Sequence, residues 1–110
     1  MKSNIRSLSI FLPAYNESEN ISKSVNALIK AIPSDISFEL IVVDDGSIDS
    51  TPQIVRNLIK NNDKIRLIRH RKNMGYGSAI ATGLRASKKD WIFFADSDAQ
   101  FDYKQIKKFI

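Results

Sequence analysis

The stretch of sequence that decides the fold of this chain is Phe38-Glu39-Leu40-Ile41-Val42-Val43-Asp44-Asp45-Gly46-Ser47. Residues 38–43 form an apolar run that only Glu39 interrupts, and β-branched residues lie at its end. Such a run is typical of a parallel strand that is covered on both faces. The polar residues that follow, with Gly46 among them, predict that the chain turns directly after this strand.

Short apolar runs and helical patterns alternate along the whole chain. Strands are predicted over residues 8–14, 38–43, 65–68 and 91–95. Apolar residues recur at helical spacing between them, as in the helix predicted over residues 75–87, where Ile80 and Leu84 should face the core. The alternation predicts an α/β fold, a mostly parallel sheet flanked by helices and joined by right-handed crossovers. Because a last helix begins only at Tyr103, we expect residues 1–110 to form one partial domain.

Two helix starts carry recognisable signals. Asn16 and Glu19 have the spacing of a capping box, so the first helix is expected to follow Asn16 directly. Thr51 precedes Pro52, which fits an N-cap residue followed by proline at the first helical position. Both signals predict that a helix begins within a few residues of a strand end.

The composition sets limits on the class of protein. The 110 residues have 43% hydrophobic and 26% charged residues and a formal net charge of +5, as in soluble globular proteins. Cysteine is absent, which excludes disulfides and thiolate metal sites. No apolar run approaches the roughly 18 residues of a membrane span, and residues 8–14 are interpreted as a strand, not a signal peptide. The basic surface permits phosphorylated ligands, nucleic acid or an anionic membrane without choosing among them.

A pair of carboxylates follows the last predicted strand. Asp96 and Asp98 are two residues apart, and Gln100 adds a neutral oxygen from the same segment. Two acids this close repel each other unless a cation lies between them or one stays protonated. A hard divalent cation fits, because it takes oxygen ligands from one or two carboxylates and from substrate phosphates. The alternative is a solvated acidic turn in which Asp98 caps the next helix.

A second acidic loop, with Asp44 and Asp45, follows the strand over residues 38–43. Since parallel strands end at the same edge of a sheet, this loop, the Asp96 loop and residues 13–17 should converge on one crevice, where such sheets bind ligands. A carboxylate there can accept hydrogen bonds from a ribose hydroxyl or a base N–H. A turn with an aspartate cap before Gly46 explains one of the two aspartates, but not both.

Four motifs in order give the chain a family resemblance. They are Pro13-Ala14-Tyr15-Asn16-Glu17, Val43-Asp44-Asp45-Gly46-Ser47, Asn73-Met74-Gly75-Tyr76-Gly77-Ser78-Ala79 and Asp96-Ser97-Asp98-Ala99-Gln100-Phe101-Asp102. This series resembles the family 2 glycosyltransferases, which have the nucleotide-diphospho-sugar transferase (GT-A) fold. The last motif is most similar to the polyprenyl-phosphate (dolichol-phosphate) mannosyl- and glucosyltransferase branch. The resemblance covers about residues 8–110 and corresponds to the N-terminal, donor-binding part of such enzymes.

The resemblance implies a role for eight residues. Pro13, Tyr15 and Glu17 would line the nucleotide pocket, and Val43 and Asp45 would contact the base and the ribose. Asp96 would bind the nucleotide-sugar side. The predicted metal ligands are Asp96, Asp98 and Gln100, which would hold Mg²⁺ or Mn²⁺ on the diphosphate, and Asp96 and Asp98 are the predicted catalytic residues.

The resemblance also implies a reaction. A GDP- or UDP-hexose would donate its sugar to an acceptor, with polyprenyl phosphate favoured, and the anomeric carbon would be inverted. The metal would stabilise the departing nucleoside diphosphate. The implied location is cytoplasmic, at the inner face of the membrane, and no nucleic-acid partner is expected. Family members place further functional residues downstream of the last motif, so turnover by these 110 residues alone stays open.

Three alternatives are weighed against this interpretation. The crevice could bind a nucleotide sugar without transferring it. Gly75 and Gly77, with Asp96 19 residues after Gly77, could instead belong to a dinucleotide-binding oxidoreductase, but Ile80 stands where that fingerprint has its third glycine. An RNA-binding surface on the basic residues would lack the aromatic side chains that stack on bases.

Three further residue types are interpreted from their context. His70, the only histidine, is expected to be a structural residue, because no second histidine or cysteine can join it on a metal. Arg69 and Arg71 could reach donor phosphates or lie solvated on the surface. Trp91 is expected in the core or in an interface.

Overall fold

The computed structural model describes residues 5–97, which contain four strands and three helices. The elements are β1 (Ser7–Ala14), α1 (Ile21–Ala31), β2 (Ser37–Asp44), α2 (Thr51–Asn61), β3 (Ile65–Arg69), α3 (Tyr76–Ala86) and β4 (Trp91–Phe94). All four predicted strands and the three predicted helices within this range are present. The helix predicted from Tyr103 lies outside the described residues.

The strands form one parallel sheet in the order β3-β2-β1-β4. On one face, α1 and α2 pack on alternate residues of β1 and β2, such as Ile10 and Val42. On the other face, α3 packs against Phe11, Ile41 and Val43. The sheet is therefore covered on both sides, as the apolar run over residues 38–43 predicts. The α/β fold with a mostly parallel sheet flanked by helices is confirmed.

The first strand-to-helix connection differs from the prediction. The helix begins at Ile21 with Asn20 as its N-cap, so Asn16 is not the cap residue. Asn16 has a positive φ of 52°, a conformation that asparagine adopts more readily than most residues. Its amide oxygen accepts a hydrogen bond from the backbone N–H of Ile48 at 2.9 Å. Asn16 therefore shapes a tight loop, and the chain needs four further residues before α1 can start.

The start of α2 is shifted by one residue. Thr51 is the first residue of the helix and Ser50 occupies the N-cap position. The carboxylate of Asp49 performs the capping, since it accepts hydrogen bonds from both the backbone N–H and the hydroxyl of Thr51. Pro52 lies in the first turn, where its missing N–H costs nothing. The predicted position of the helix is correct, but the predicted cap residue is wrong.

One burial prediction is wrong, and another is narrowed. The side of α3 that faces the sheet carries Ala79 and Gly83, whereas Leu84 is 48% exposed. A Cβ on Gly83 would lie 2.2 Å from the Phe11 ring, so the close approach of α3 to the sheet excludes larger side chains there. Within residues 5–97, β4 forms an edge of the sheet, and Trp91 is 54% exposed. Trp91 is therefore not a core residue of this part of the chain, and its alternative place in an interface stays a prediction.

Candidate functional site

A cleft of about 340 Å³ opens at the carboxyl ends of β1, β2 and β4. Three connections meet there: the segment after β1, the turn after β2 and the residues after β4. The loop that leads into α3 closes one side. The lining residues are Pro13, Ala14, Tyr15, Glu17, Asp45, Asn73, Gly75, Tyr76, Ala79, Asp96 and Ser97. The strand ends thus converge as the parallel topology predicts.

Asp45 is the buried carboxylate of the cleft and is only 4% exposed. Its Oδ1 accepts hydrogen bonds from the Met74 N–H at 2.9 Å and pairs with His70 Nδ1 at 2.7 Å, and its Oδ2 accepts from the Gly75 N–H at 2.9 Å. Burial by itself raises the pKa of Asp45, but these hydrogen bonds outweigh it and hold the pKa below its ordinary value. Asp45 is therefore a fixed negative charge at the cleft wall, with lone pairs that can accept donors from a ligand.

His70 forms a second layer behind Asp45. Its Nδ1 faces the Asp45 carboxylate, and its Nε2 lies 2.8 Å from the hydroxyl of Thr82 in α3. Only 15% of the His70 side chain is exposed. The prediction of a structural histidine is confirmed, and the structure adds what this histidine holds in place. A chain of hydrogen bonds connects α3 to the cleft carboxylate.

Asp44, although adjacent, has a different role. It is fully buried, and its carboxylate accepts hydrogen bonds from the N–H and hydroxyl of Ser47 and from Arg69 Nε. Gly46, which precedes Ser47 in this turn, has a φ of 77°, and a Cβ there would lie 2.3 Å from the backbone of Lys72. Asp44 is thus the aspartate that organises the turn. Arg69 pairs with it and also donates to the Ser47 carbonyl at 2.6 Å, so that arginine is engaged in the fold.

The segment after β1 is tied to the turn after β2. The backbone N–H of Asn16 donates to the Ser47 hydroxyl at 2.8 Å, and that of Glu17 donates to the Thr51 hydroxyl at 2.9 Å. The carboxylate of Asp49, which caps α2, also accepts from the N–H of Ser18. The hydrogen bonds that Asp49 accepts from Thr51 and Ser18 outweigh the effect of burial and lower the pKa of Asp49 to about 2. Tyr15 and Glu17 therefore extend over the cleft from a well-braced loop.

The residues after β4 are anchored by Ser97. Its hydroxyl donates to the Pro13 carbonyl at 2.8 Å, and its own carbonyl accepts from the Ser24 hydroxyl of α1 at 3.0 Å. Next to it, Asp96 is exposed at the cleft and accepts a hydrogen bond from the Tyr76 hydroxyl at 3.2 Å. Partial burial raises the pKa of Tyr76, and the charge of Asp96 raises it further. The phenol stays protonated at neutral pH and can orient the Asp96 carboxylate.

The structure brings together most of the residues predicted for the site. Pro13, Tyr15, Glu17, Asp45 and Asp96 all line the same cleft. Val43 does not, because its side chain is fully buried in the core with Phe11 and Ile41.

The predicted contact of Val43 with the base or ribose therefore stays a prediction. Asp98 and Gln100 lie outside the described residues. Residues 5–97 contain no group of three or more histidine and acidic side chains that could hold a metal ion.

Three residues of the site were not predicted individually. Tyr76 contacts Asp96, Ser97 holds the β4 end on β1, and Asn73 lines the wall next to Asp45. Tyr76 and Asn73 lie in the glycine-containing segment that carries the resemblance, and this was the only available signal. A serine between two aspartates gives no sign that its side chain points inward.

Comparison with known proteins places this cleft in a family. The sequence profile of Glycosyl transferase family 2 matches residues 9–110. The chain belongs to glycosyltransferase family 2. The predicted family membership is therefore confirmed, and the residues that line the cleft all lie within the matched range.

The similar curated proteins of this family are longer than the chain. An uncharacterised glycosyltransferase of Mycoplasma genitalium is 31% identical over 105 residues, which cover 93% of this chain and 35% of the relative. A dolichyl-phosphate β-glucosyltransferase of Dictyostelium discoideum is 30% identical over 109 residues, covering 92% of this chain and 33% of the relative. The chain thus spans about a third of the length of these family 2 relatives.

Solved structures agree on the fold of this family 2 chain. A Pyrobaculum calidifontis mannosyltransferase in complex with GDP-Man and Mn²⁺ superposes with a TM-score of 0.76 at 26% identity, covering 89% of this chain and 29% of that one. S. aureus TarS 1-349 in complex with UDP-GlcNAc superposes at 0.77 and 30% identity, covering 93% of this chain and 29% of that one. The sheet and its helices are therefore part of a GT-A fold.

Proposed function

We propose that this chain carries the nucleotide-sugar site of an inverting, metal-dependent glycosyltransferase that moves a hexose from a nucleoside diphosphate to an acceptor. One observation carries the proposal. The ionised Asp45 is held by two backbone N–H groups and His70 at the wall of a cleft that Asp96 enters from a separate strand end. Similar solved proteins bind GDP-Man and UDP-GlcNAc, which supports a nucleotide sugar as the donor.

In this proposal the two carboxylates of the cleft have separate tasks. Asp45 accepts hydrogen bonds from the base and ribose, because those groups donate and Asp45 only accepts. Tyr15 and Glu17 line the nucleotide pocket above it. Asp96, oriented by Tyr76, acts at the sugar–diphosphate end. A fixed acceptor and an oriented carboxylate hold the donor in one pose, which reduces the entropic cost of reaching the reactive geometry.

The donor set fits Mg²⁺ or Mn²⁺, since Asp96 offers a hard oxygen ligand and is exposed at the cleft. Asp98 and Gln100 would complete the protein ligands. When bound, the cation would neutralise the charge that develops on the leaving nucleoside diphosphate. The complex of one similar mannosyltransferase with GDP-Man and Mn²⁺ supports this assignment.

We favour a lipid phosphate, of the polyprenyl phosphate class, as the acceptor. Curated relatives from Dictyostelium, Trichomonas and mouse are named dolichyl-phosphate β-glucosyltransferases. A phosphate acceptor is already anionic, so it attacks without the general base that a hydroxyl acceptor requires. This choice also implies action at a membrane surface. Among residues 5–97, no helix is both long enough and apolar enough to cross a membrane.

The dinucleotide-binding alternative is not favoured by the geometry of the glycine segment. The N–H groups of Met74 and Gly75 donate to the Asp45 carboxylate, so they are not free to bind a pyrophosphate. A nucleotide-binding chain without transfer activity would use the same cleft in the same way. A sugar-transfer assay in parallel with binding measurements separates that alternative from the enzyme.

The proposal is tested by titrating the full chain with GDP, UDP and their hexose conjugates, with and without Mn²⁺, by calorimetry. Asp45→Asn should weaken binding by about 10- to 100-fold under both conditions, as loss of a charged hydrogen-bond acceptor does. Asp98→Asn should abolish only the gain that Mn²⁺ gives.

The exposed Asp63 in the connection between α2 and β3 provides the matched control. Asp63→Asn should bind like the unmodified chain. Unchanged affinity in Asp45→Asn, or an equal Mn²⁺ gain in Asp98→Asn, would contradict the assignment. Because Asp98→Asn and Asp45→Asn are separate variants, the Mn²⁺ comparison stays informative even if Asp45→Asn unfolds.

A further inference from the structure

A second cavity lies beside the donor cleft and has a different character. This basic groove, of about 850 Å³, runs between the end of β3 and the outer side of α3. Its lining residues are Arg69, His70, Arg71, Lys72, Met74, Ser78, Ala81, Thr82 and Arg85. The loop over residues 71–75 borders both cavities, but no single residue lines both of them.

Among the described residues, acidic side chains neutralise only part of the positive charge of the basic groove. Of its four Lys and Arg side chains, Arg69 is paired with the buried Asp44. No carboxylate lines the groove, and within residues 5–97 no acidic side chain pairs with Arg71, Lys72 or Arg85. Three formal positive charges thus remain on one side of α3. Such a concave cationic surface attracts phosphate groups.

Apolar side chains accompany these cations. Met74 lines the basic groove and is 53% exposed. Leu84 follows outside the groove lining, next to Arg85 on α3, and is 48% exposed. Cations that alternate with exposed apolar side chains are typical of surfaces that lie on a lipid bilayer, where the former contact headgroups and the latter enter the acyl boundary. A soluble phosphate would make no favourable contact with the exposed apolar side chain of Met74 in the groove.

We propose that the basic groove is the surface by which this chain docks on an anionic lipid bilayer, with lipid phosphates bound by Arg71, Lys72 and Arg85 and with Met74 inserted between the headgroups. The choice of a membrane as partner rests on the proposed lipid-phosphate acceptor. Docking through this groove would bring the donor cleft close to the bilayer, because the loop over residues 71–75 borders both.

The test is co-sedimentation of the full chain with vesicles, without nucleotide or metal. Vesicles of phosphatidylcholine alone are compared with vesicles that also contain phosphatidylglycerol. The unmodified chain should bind only the anionic vesicles, and the triple variant Arg71→Gln/Lys72→Gln/Arg85→Gln should bind them about 100-fold more weakly. Met74→Ser should reduce binding without any change in net charge.

The opposite face of the sheet offers a control of equal charge. Lys23, Arg56 and Lys60 lie exposed on α1 and α2, and the variant Lys23→Gln/Arg56→Gln/Lys60→Gln should keep the affinity within a few-fold. Equal losses in both triple variants would overturn the proposal, since the effect would then come from net charge. All six residues are exposed, and circular dichroism of each variant verifies the fold.

Other outcomes also decide against the proposal. Inhibition of vesicle binding by inorganic pyrophosphate, together with no effect of Met74→Ser, would make the basic groove a site for a soluble phosphate. Tighter binding of a single-stranded RNA, lost in the groove variant, would make it a nucleic-acid surface. Because no nucleotide sugar is present, a failure here leaves the donor-site proposal standing, and a failure of nucleotide binding does not alter the vesicle result.

Discussion

At the scale of single residues, the two adjacent aspartates of the turn after β2 show how position decides role. Successive residues of a strand point to opposite faces of the sheet. Asp44 therefore turns toward Ser47 and Arg69, while Asp45 turns toward the α3 side and reaches the cleft. The sequence predicted that one of the pair belongs to the turn. The residue pattern alone could not predict which, because it marked neither face as the binding face, and only the family resemblance pointed to Asp45.

The Asp45–His70–Thr82 chain of hydrogen bonds gives a prediction at this scale. His70→Ala removes one of the three partners of Asp45, so the pKa of Asp45 should rise and nucleotide affinity should fall about 10-fold, the cost of one charge-assisted hydrogen bond. Thr82→Val should have a smaller effect in the same direction. The measurements are a carboxylate NMR titration of Asp45 and calorimetry.

Ser87 supplies the control for that prediction. Its hydroxyl donates to the Gly83 carbonyl near the C-terminal end of α3. Asp45 lies at the other end of this helix, where it accepts from the Gly75 N–H. Ser87→Ala should lower stability slightly and leave the Asp45 titration unchanged. If His70→Ala lowered the unfolding temperature without moving the Asp45 titration, His70 would only support the fold and would not position the carboxylate.

At the scale of elements, the contact of α3 with the sheet depends on a glycine. Gly83 is buried against the Phe11 ring, and an added Cβ would lie 2.2 to 2.6 Å from three ring atoms. In an exposed helix, Gly→Ala stabilises by about 1 kcal/mol. Here Gly83→Ala should instead destabilise the chain by about 1–3 kcal/mol, because the helix or the ring must move.

Chemical denaturation measures this difference. Gly77→Ala is the matched control, since Gly77 lies in the same helix and a Cβ there meets no atom within 4 Å. That variant should be neutral or slightly stabilising. Equal effects of the two substitutions would show that helix propensity, and not the contact with Phe11, decides the outcome.

The same contact explains where sequence reasoning was limited. Helical spacing placed Leu84 inward because leucine is apolar. However, α3 lies so close to the sheet that its buried positions hold only the small residues Ala79 and Gly83. Likewise, Asn16 carried a cap signal, yet its positive φ and its bond to Ile48 belong to a loop that the β2 turn determines. Local patterns predicted where elements lie. They could not predict features that another element imposes from a distant part of the chain.

At the scale of the whole molecule, the parallel order of the strands made the site predictable. Asp45 and Asp96 are 51 positions apart, and their convergence follows from the rule that parallel strands end at one edge. The layer behind the site was not predictable, because His70 and Thr82 meet only through the packing of α3. The basic groove was visible in the sequence only as scattered cations, and the fold brings them to one surface.

The carboxylates that brace the loops also determine how stability depends on pH. The pKa values of Glu39, Asp45 and Asp49 are all lowered in the folded state, that of Asp49 from 3.8 to about 2. At a pH between the pKa of such a group in the folded state and its pKa in the unfolded state, the unfolded chain binds more protons. Stability from these groups is therefore present above about pH 5 and is lost as the pH falls toward 2. The growing net positive charge adds to this loss.

Asp49→Asn separates the contribution of Asp49 from the general acid effect. An asparagine keeps an oxygen for the Thr51 N–H but has no charge to lose. The variant should therefore be less stable than the unmodified chain at pH 7 by about 1 kcal/mol, the order that the lowered pKa of Asp49 implies after solvent screening. The difference should shrink toward zero as the pH approaches 2. Urea unfolding at several pH values measures it. A difference that stays constant across this range would show that Asp49 stabilises the two loops through geometry alone, without its charge.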